Sequence, residues 1–159
     1  MLNNNSIKLT QIIIVTFIMM TVITCAKDQN TFVPYVPVNF YINLPANNHL
    51  TIPGNSITYK AQGYAGVIVM CISTNPFQYY AFDACCPFET LPTCSVDLPP
   101  IKALSSTGFI YSSEPSGTCK CCKSIYTIFG GGSPTKGPSS HYLQLYQAQL
   151  IGDQVWVHN

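Results

Sequence analysis

Twelve prolines and ten glycines punctuate a chain of 159 residues, and no segment between them carries a 3.6-residue apolar period bounded by helix caps. Proline removes a backbone donor and breaks helix interiors, so this spacing leaves short extended segments joined by turns. The apolar pattern agrees. Val36, Val38, Phe40, Ile42 and Leu44 alternate with polar or aromatic neighbours, the period of a half-buried strand. Pro34, Pro37 and Pro45 around them point to an edge strand or an entry arm rather than a central strand. A short strand over 56–60 follows the Pro53-Gly54-Asn55 turn. Residues 66–72 form a near-continuous apolar run of strand length, expected to be buried on both faces. Segments 78–83, 109–111, 124–129, 142–150 and 154–158 complete the set. The expectation is an all-β single domain of antiparallel sheets with Greek-key or stacked-sheet packing.

Charge narrows the function classes. Lys and Arg total 7, all of them lysine, against 6 Asp and Glu, for a net charge of +1. A nucleic-acid binder needs a basic footprint that this balance lacks. With 47% hydrophobic residues the chain is also too apolar for a disordered segment. The absence of arginine removes bidentate clamping of phosphate or carboxylate.

The N-terminus supplies a compartment. Lys8 is the only charge before an apolar run over 12–23 that contains Thr16 and Thr21. Such a run suits the core of an export signal and falls short of the roughly 20 residues that span a bilayer. It closes on Val22-Ile23-Thr24-Cys25, which resembles a bacterial lipoprotein signal. That resemblance implies cleavage after residue 24 and a lipid on Cys25, with 25–32 as tether and 33–159 as the folded domain. It implies a chain held to a bacterial cell-envelope membrane, the outer membrane in this reading, on its periplasmic or surface face. Acyl chains contribute about 0.8 kcal/mol per buried methylene, enough for stable anchoring when a cysteine carries several.

Eight cysteines remain to be explained in that oxidising location. Beyond Cys25, Cys71 sits inside the apolar run and is read as a small core hydrophobe. The other six fall into two packets: Cys85, Cys86 and Cys94, then Cys119, Cys121 and Cys122. Cys119 and Cys122 have the Cys-x-x-Cys spacing of a zinc knuckle, and Cys86 with Cys94 can supply the other two corners of a tetrahedron. Disulfides between the packets are the competing reading, and spacing alone leaves the pairing open.

Other chemistry finds little support. The glycine turn at 130–132 lacks the Gly-Lys-Ser/Thr ending of a phosphate loop. No histidine neighbours a cysteine packet, so no Cys-His nucleophile is formed in sequence, and His49, His141 and His158 are read as surface or strand residues. No pair among Asp28, Asp83, Glu89, Asp97, Glu114 and Asp153 is placed for acid–base work. No catalytic residue is assigned. Asp83 is read as a turn hydrogen-bond acceptor, and Tyr79, Tyr80 and Phe82 as alternating positions of a strand.

The order of these features resembles a Rieske iron–sulfur domain, whose two cluster loops carry Cys-x-His and Cys-x-x-His. The second loop of that family often reads Cys-Pro-Cys-His-Gly-Ser-x-Phe/Tyr; here it is Cys119-Lys120-Cys121-Cys122-Lys123-Ser124-Ile125-Tyr126. The first loop would be Asp83-Ala84-Cys85-Cys86-Pro87-Phe88. Gly130-Gly131-Gly132, Gly137-Pro138-Ser139, Leu143 to Tyr146 and Val155-Trp156-Val157 match the features that follow. Upstream, Val33 to Phe40 and Gly66-Val67-Ile68-Val69 resemble lipoproteins in which this domain follows a lipid anchor, so the resemblance covers 33–159. It departs at both histidine positions, which hold Phe88 and Cys122. Two imidazoles on one iron give a Rieske centre its raised potential, so an ordinary Rieske cluster is not expected.

The resemblance implies that Cys86, Cys119 and Cys122 occupy three of the four ligand positions, with Cys94 as the fourth and Cys85–Cys121 as a disulfide tying the loops. The resulting expectation is a membrane-anchored binding or structural module with a cysteine-held Zn2+. An all-cysteine [2Fe-2S] electron carrier and a disulfide-stapled lipoprotein without metal are the alternatives.

Overall fold

The strand periodicity expected from the sequence is realised in two antiparallel sheets. The computed structural model describes residues 32–98 and 115–159; the expected signal segment, Cys25, most of the tether and the strand over 109–111 lie outside them. Thr31–Asn159 form one compact unit. Among the described residues the strands run in the order β1 Asn39–Asn43, β2 Ser56–Tyr59, β3 Val67–Thr74, β4 Phe77–Asp83, β5 Val96–Asp97, β6 Ser116–Cys119, β7 Ile125–Thr127, β8 Ser133–Lys136, β9 Leu145–Ile151 and β10 Gln154–His158. The larger sheet has the order β1-β10-β9-β4-β3-β2, and the smaller β5-β6-β7-β8. The fold is all-β, as expected. Among the described residues no helix is long and apolar enough to cross a membrane.

β1 lies at one edge of the larger sheet, where its flanking prolines cost no ladder bonds. The apolar run of β3 has two partners. Val67, Val69 and Cys71 face a core built with Val38, Ile42, Leu50, Ala81, Val155 and Val157. Met70, on the other face, joins Phe82, Val96, Tyr126, Ile128 and Leu143 beneath the smaller sheet. A strand buried on both sides has no polar face to alternate with, which is why its sequence is continuously apolar. Cys71 is fully buried in the first of these cores.

Pro45–Thr51 differs from the all-extended expectation by forming a short 3-10 segment. Amide side chains assemble it: the Ala46 N–H donates to Asn43 Oδ1 at 2.9 Å, and Asn47 Nδ2 donates to the Asn43 carbonyl at 2.9 Å. Local side-chain bonds of this kind replace strand pairing and leave no long-range pattern to read.

Candidate metal centre

Two loops meet above the second core. The first leaves β4 at Asp83, a fully buried carboxylate. Its Oδ1 accepts the backbone N–H of Cys85 at 2.8 Å and of Ala65 at 3.1 Å. Its Oδ2 accepts the Tyr64 N–H at 2.6 Å and the Tyr146 hydroxyl at 2.8 Å. Four donors satisfy a charge that would otherwise be costly to bury. They join the β2–β3 turn, β9 and the head of the cysteine loop at one point. Gly63 makes room for this: a Cβ there would lie 2.6 Å from Asp83 Oδ2. Burial, and then the Asp83 charge, push the Tyr146 hydroxyl above its ordinary range.

The second loop leaves β6 at Cys119 and returns into β7. The Cys119 N–H donates to the Ser124 carbonyl at 2.9 Å, closing the turn. Lys123 within it has φ 60, a left-handed conformation in a residue with a Cβ. The Ser124 hydroxyl oxygen accepts the Ser139 N–H at 3.1 Å, which pins the 137–139 turn against the loop.

These loops bring three sulfurs together. Cys86, Cys119 and Cys122 have their Sγ atoms within 4.8 Å of one another. Cys86 Sγ and Cys122 Sγ are 3.5 Å apart, from positions 36 residues distant in sequence. Cys86 and Cys119 are fully buried, and Cys122 is half-buried. Tyr126 Oη lies 3.4 Å from Cys86 Sγ, and the Cys122 thiol donates to Ser124 Oγ at 3.1 Å. Burial, reinforced by hydrogen bonding with Cys86, pushes Cys119 up to about 12. Burial acts on Cys122 too, but hydrogen bonds with Ser124, Cys119 and Cys86 together outweigh it and bring that thiol below its ordinary value.

Cys94 and Cys121 are elsewhere. They form a disulfide with Cα atoms 5.3 Å apart, in place of the expected Cys85–Cys121 pair and of the expected metal role for Cys94. The reason is register. β5 pairs with β6 with Val96 opposite Cys119, and the Lys120 N–H donates to the Ser95 carbonyl at 3.0 Å. One rung further, that antiparallel ladder sets Cys94 opposite Cys121. Cys85 instead bridges to Ser95 and is a buried free thiol. Burial first, then the charge of Asp83, push Cys85 up to about 12. A carboxylate oxygen of Glu89 sits 3.2 Å from Cys94 Sγ, but a disulfide sulfur has no proton to donate and is a poor ligand.

Three thiolates at these separations suit a soft ion. Around an ion about 2.3 Å from each sulfur, tetrahedral sulfurs stand roughly 3.8 Å apart, so the observed trio needs only small adjustment. No fourth Cys, His, Asp or Glu joins the trio among the described residues. The residues do not fit a Rieske cluster. Phe88, where the sequence resemblance would place one imidazole, is a hydrocarbon 51% exposed, and Cys122 stands where it would place the other. His141 stacks on Phe32 and His158 on Trp156, and no histidine belongs to a ligand group among the described residues.

No family model and no curated protein matches the sequence. Solved structures similar to it include one described as a nitrite reductase NADPH small-subunit oxidoreductase protein. It matches at a TM-score of 0.44 and 15% identity over 77% of this chain and 98% of that one. The ferredoxin of carbazole 1,9a-dioxygenase from Nocardioides aromaticivorans IC177 matches at 0.44 and 17% identity, over 77% and 97% of the two chains. An NADH-dependent nitrite reductase small subunit from Mycobacterium tuberculosis matches at 0.42 and 14%, over 79% and 97%.

Proposed function

We propose that this chain is an exported, lipid-anchored Rieske-like domain that has exchanged its cluster for a single thiophilic ion held by Cys86, Cys119 and Cys122. The observation that carries this reading is the convergence of three sulfurs within 4.8 Å from two loops. Soft thiolates favour zinc over hard cations, and the ion would cross-link the loops as a structural centre does. With three protein ligands, the fourth corner is left to water or an incoming donor, which suits a binding module more than an electron carrier. Ser124 and Tyr126 orient the sulfurs of Cys122 and Cys86 through the contacts already given. Cys25 is the lipid attachment point in this reading, and the envelope membrane is its partner.

The full chain, purified in detergent, tests the metal reading through its visible spectrum, its iron and zinc content and its free-thiol count. A colourless protein with bound zinc supports it. Visible absorption with stoichiometric iron would replace it with an iron–sulfur carrier. Absence of both metals would leave the disulfide-stapled reading. Incorporation of labelled fatty acid that is lost in Cys25→Ser tests the anchor.

A further inference from the structure

The three clustered thiols lie in a chain read as exported, where free thiols meet disulfide-bearing oxidants. Two of them are already in contact. Cys86 Sγ and Cys122 Sγ are 3.5 Å apart, against the roughly 2.05 Å of a disulfide bond. They differ in access. Cys86 is fully buried, whereas Cys122 is half-buried on the second loop and can be reached from solvent. Cys119 is also buried, and its thiol faces the Cys94 carbonyl at 4.0 Å. An accessible thiol with a buried one in contact behind it is the arrangement that thiol–disulfide exchange requires: the first attacks and the second resolves.

We propose that Cys86 and Cys122 form an oxidation site that gates the metal centre, so that the same sulfurs either hold the ion or bond to each other. The inference rests on the metal reading above. The Cys122 thiolate attacks one sulfur of a small-molecule disulfide, forming a mixed disulfide and expelling one thiolate. Cys86 then attacks the Cys122 sulfur, forming the Cys86–Cys122 bond and expelling the second thiolate. The two protein sulfurs lose two electrons, the small disulfide gains them, and the protons of the two cysteines leave with the two small thiols. Cys119 alone cannot hold the ion, which departs. The Cys94–Cys121 bond is already made on neighbouring positions and does not change, so the loops stay tied in both states.

The full chain in detergent, reduced mildly enough to keep Cys94–Cys121 and loaded with zinc, is exposed to glutathione disulfide. A chromophoric chelator reads released zinc, and peptide mass mapping reads the cysteine pairs. Zinc release in step with a Cys86–Cys122 cross-link is the expected result. Zinc retained while the oxidant is present, or released with a different pair formed, overturns the gate and leaves the metal reading standing. A reduced chain that never takes up zinc overturns both. Cys119→Ser supplies the second variant: with fewer metal ligands it should still form the Cys86–Cys122 bond, and failure to do so contradicts the pairing itself.

Discussion

The Tyr146 hydroxyl donates to Asp83 Oδ2 at 2.8 Å across 63 residues of sequence, tying β9 to the start of the loop that carries Cys85 and Cys86. The carboxylate is fully buried, so each of its donors offsets part of the cost of a charge removed from water. Tyr146→Phe removes one donor and keeps the ring. Stability should fall by about 1–3 kcal/mol, measured by urea denaturation. An unchanged midpoint would mean that the three backbone donors suffice.

The second loop depends on backbone conformation at two positions, with opposite consequences. Gly137 has φ 95, and a Cβ there would stand 2.6 Å from Ser124 Cα. Gly137→Ala should cost about 2 kcal/mol or more and loosen the metal, because Ser124 must shift. Lys123 at φ 60 is a residue with a Cβ where glycine would be at ease. Lys123→Gly should be neutral or stabilising by up to about 1 kcal/mol. Paired denaturation curves compare the two directly.

The Cys94–Cys121 bond closes a segment with a sequence separation of 27. By the chain-entropy estimate its loss costs about 3.5 kcal/mol, so Cys94→Ser and Cys121→Ser should unfold at clearly lower denaturant. A double substitution should cost about as much as either single, since each single already removes the one shared bond.

Alkaline pH provides a further readout. Cys85 and Cys119 are raised to about 12 in the folded metal-free chain, whereas an unfolded thiol titrates near 8.5. The folded state therefore keeps protons that the unfolded state gives up. The stabilisation is complete below about pH 8.5 and is lost as pH rises toward about 12. Denaturation midpoints of the metal-free chain should drop across that window, and Cys85→Ser should flatten the drop. A pH-independent midpoint would show that the buried thiols do not titrate with unfolding.

Legibility in the sequence followed element size and pattern. β1 and β3 could be read because alternation at an edge and continuous apolarity in a doubly covered strand are direct consequences of burial. β5, β6 and β8 could not, because Val96–Asp97, Ser116–Cys119 and Ser133–Lys136 carry no apolar alternation. The residues Ser116-Gly117-Thr118-Cys119 have no strand pattern, and pairing with β7 makes the strand. The misassigned disulfide has the same origin. Cys94 faces Cys121 only through the β5–β6 register, which spacing does not encode. Cys86, Cys119 and Cys122 were visible as candidates through motif order, while the Asp83 clamp gathers donors from 64, 65, 85 and 146, residues that share no sequence pattern.

Metal content across a serine scan of the six loop cysteines shows which sulfurs hold the ion. Roughly one zinc per chain is expected in the parent protein, with a sharp loss in Cys86→Ser, Cys119→Ser and Cys122→Ser and retention in Cys85→Ser, Cys94→Ser and Cys121→Ser. Zinc lost in Cys94→Ser as completely as in Cys122→Ser, or none bound by the parent, would contradict that expectation.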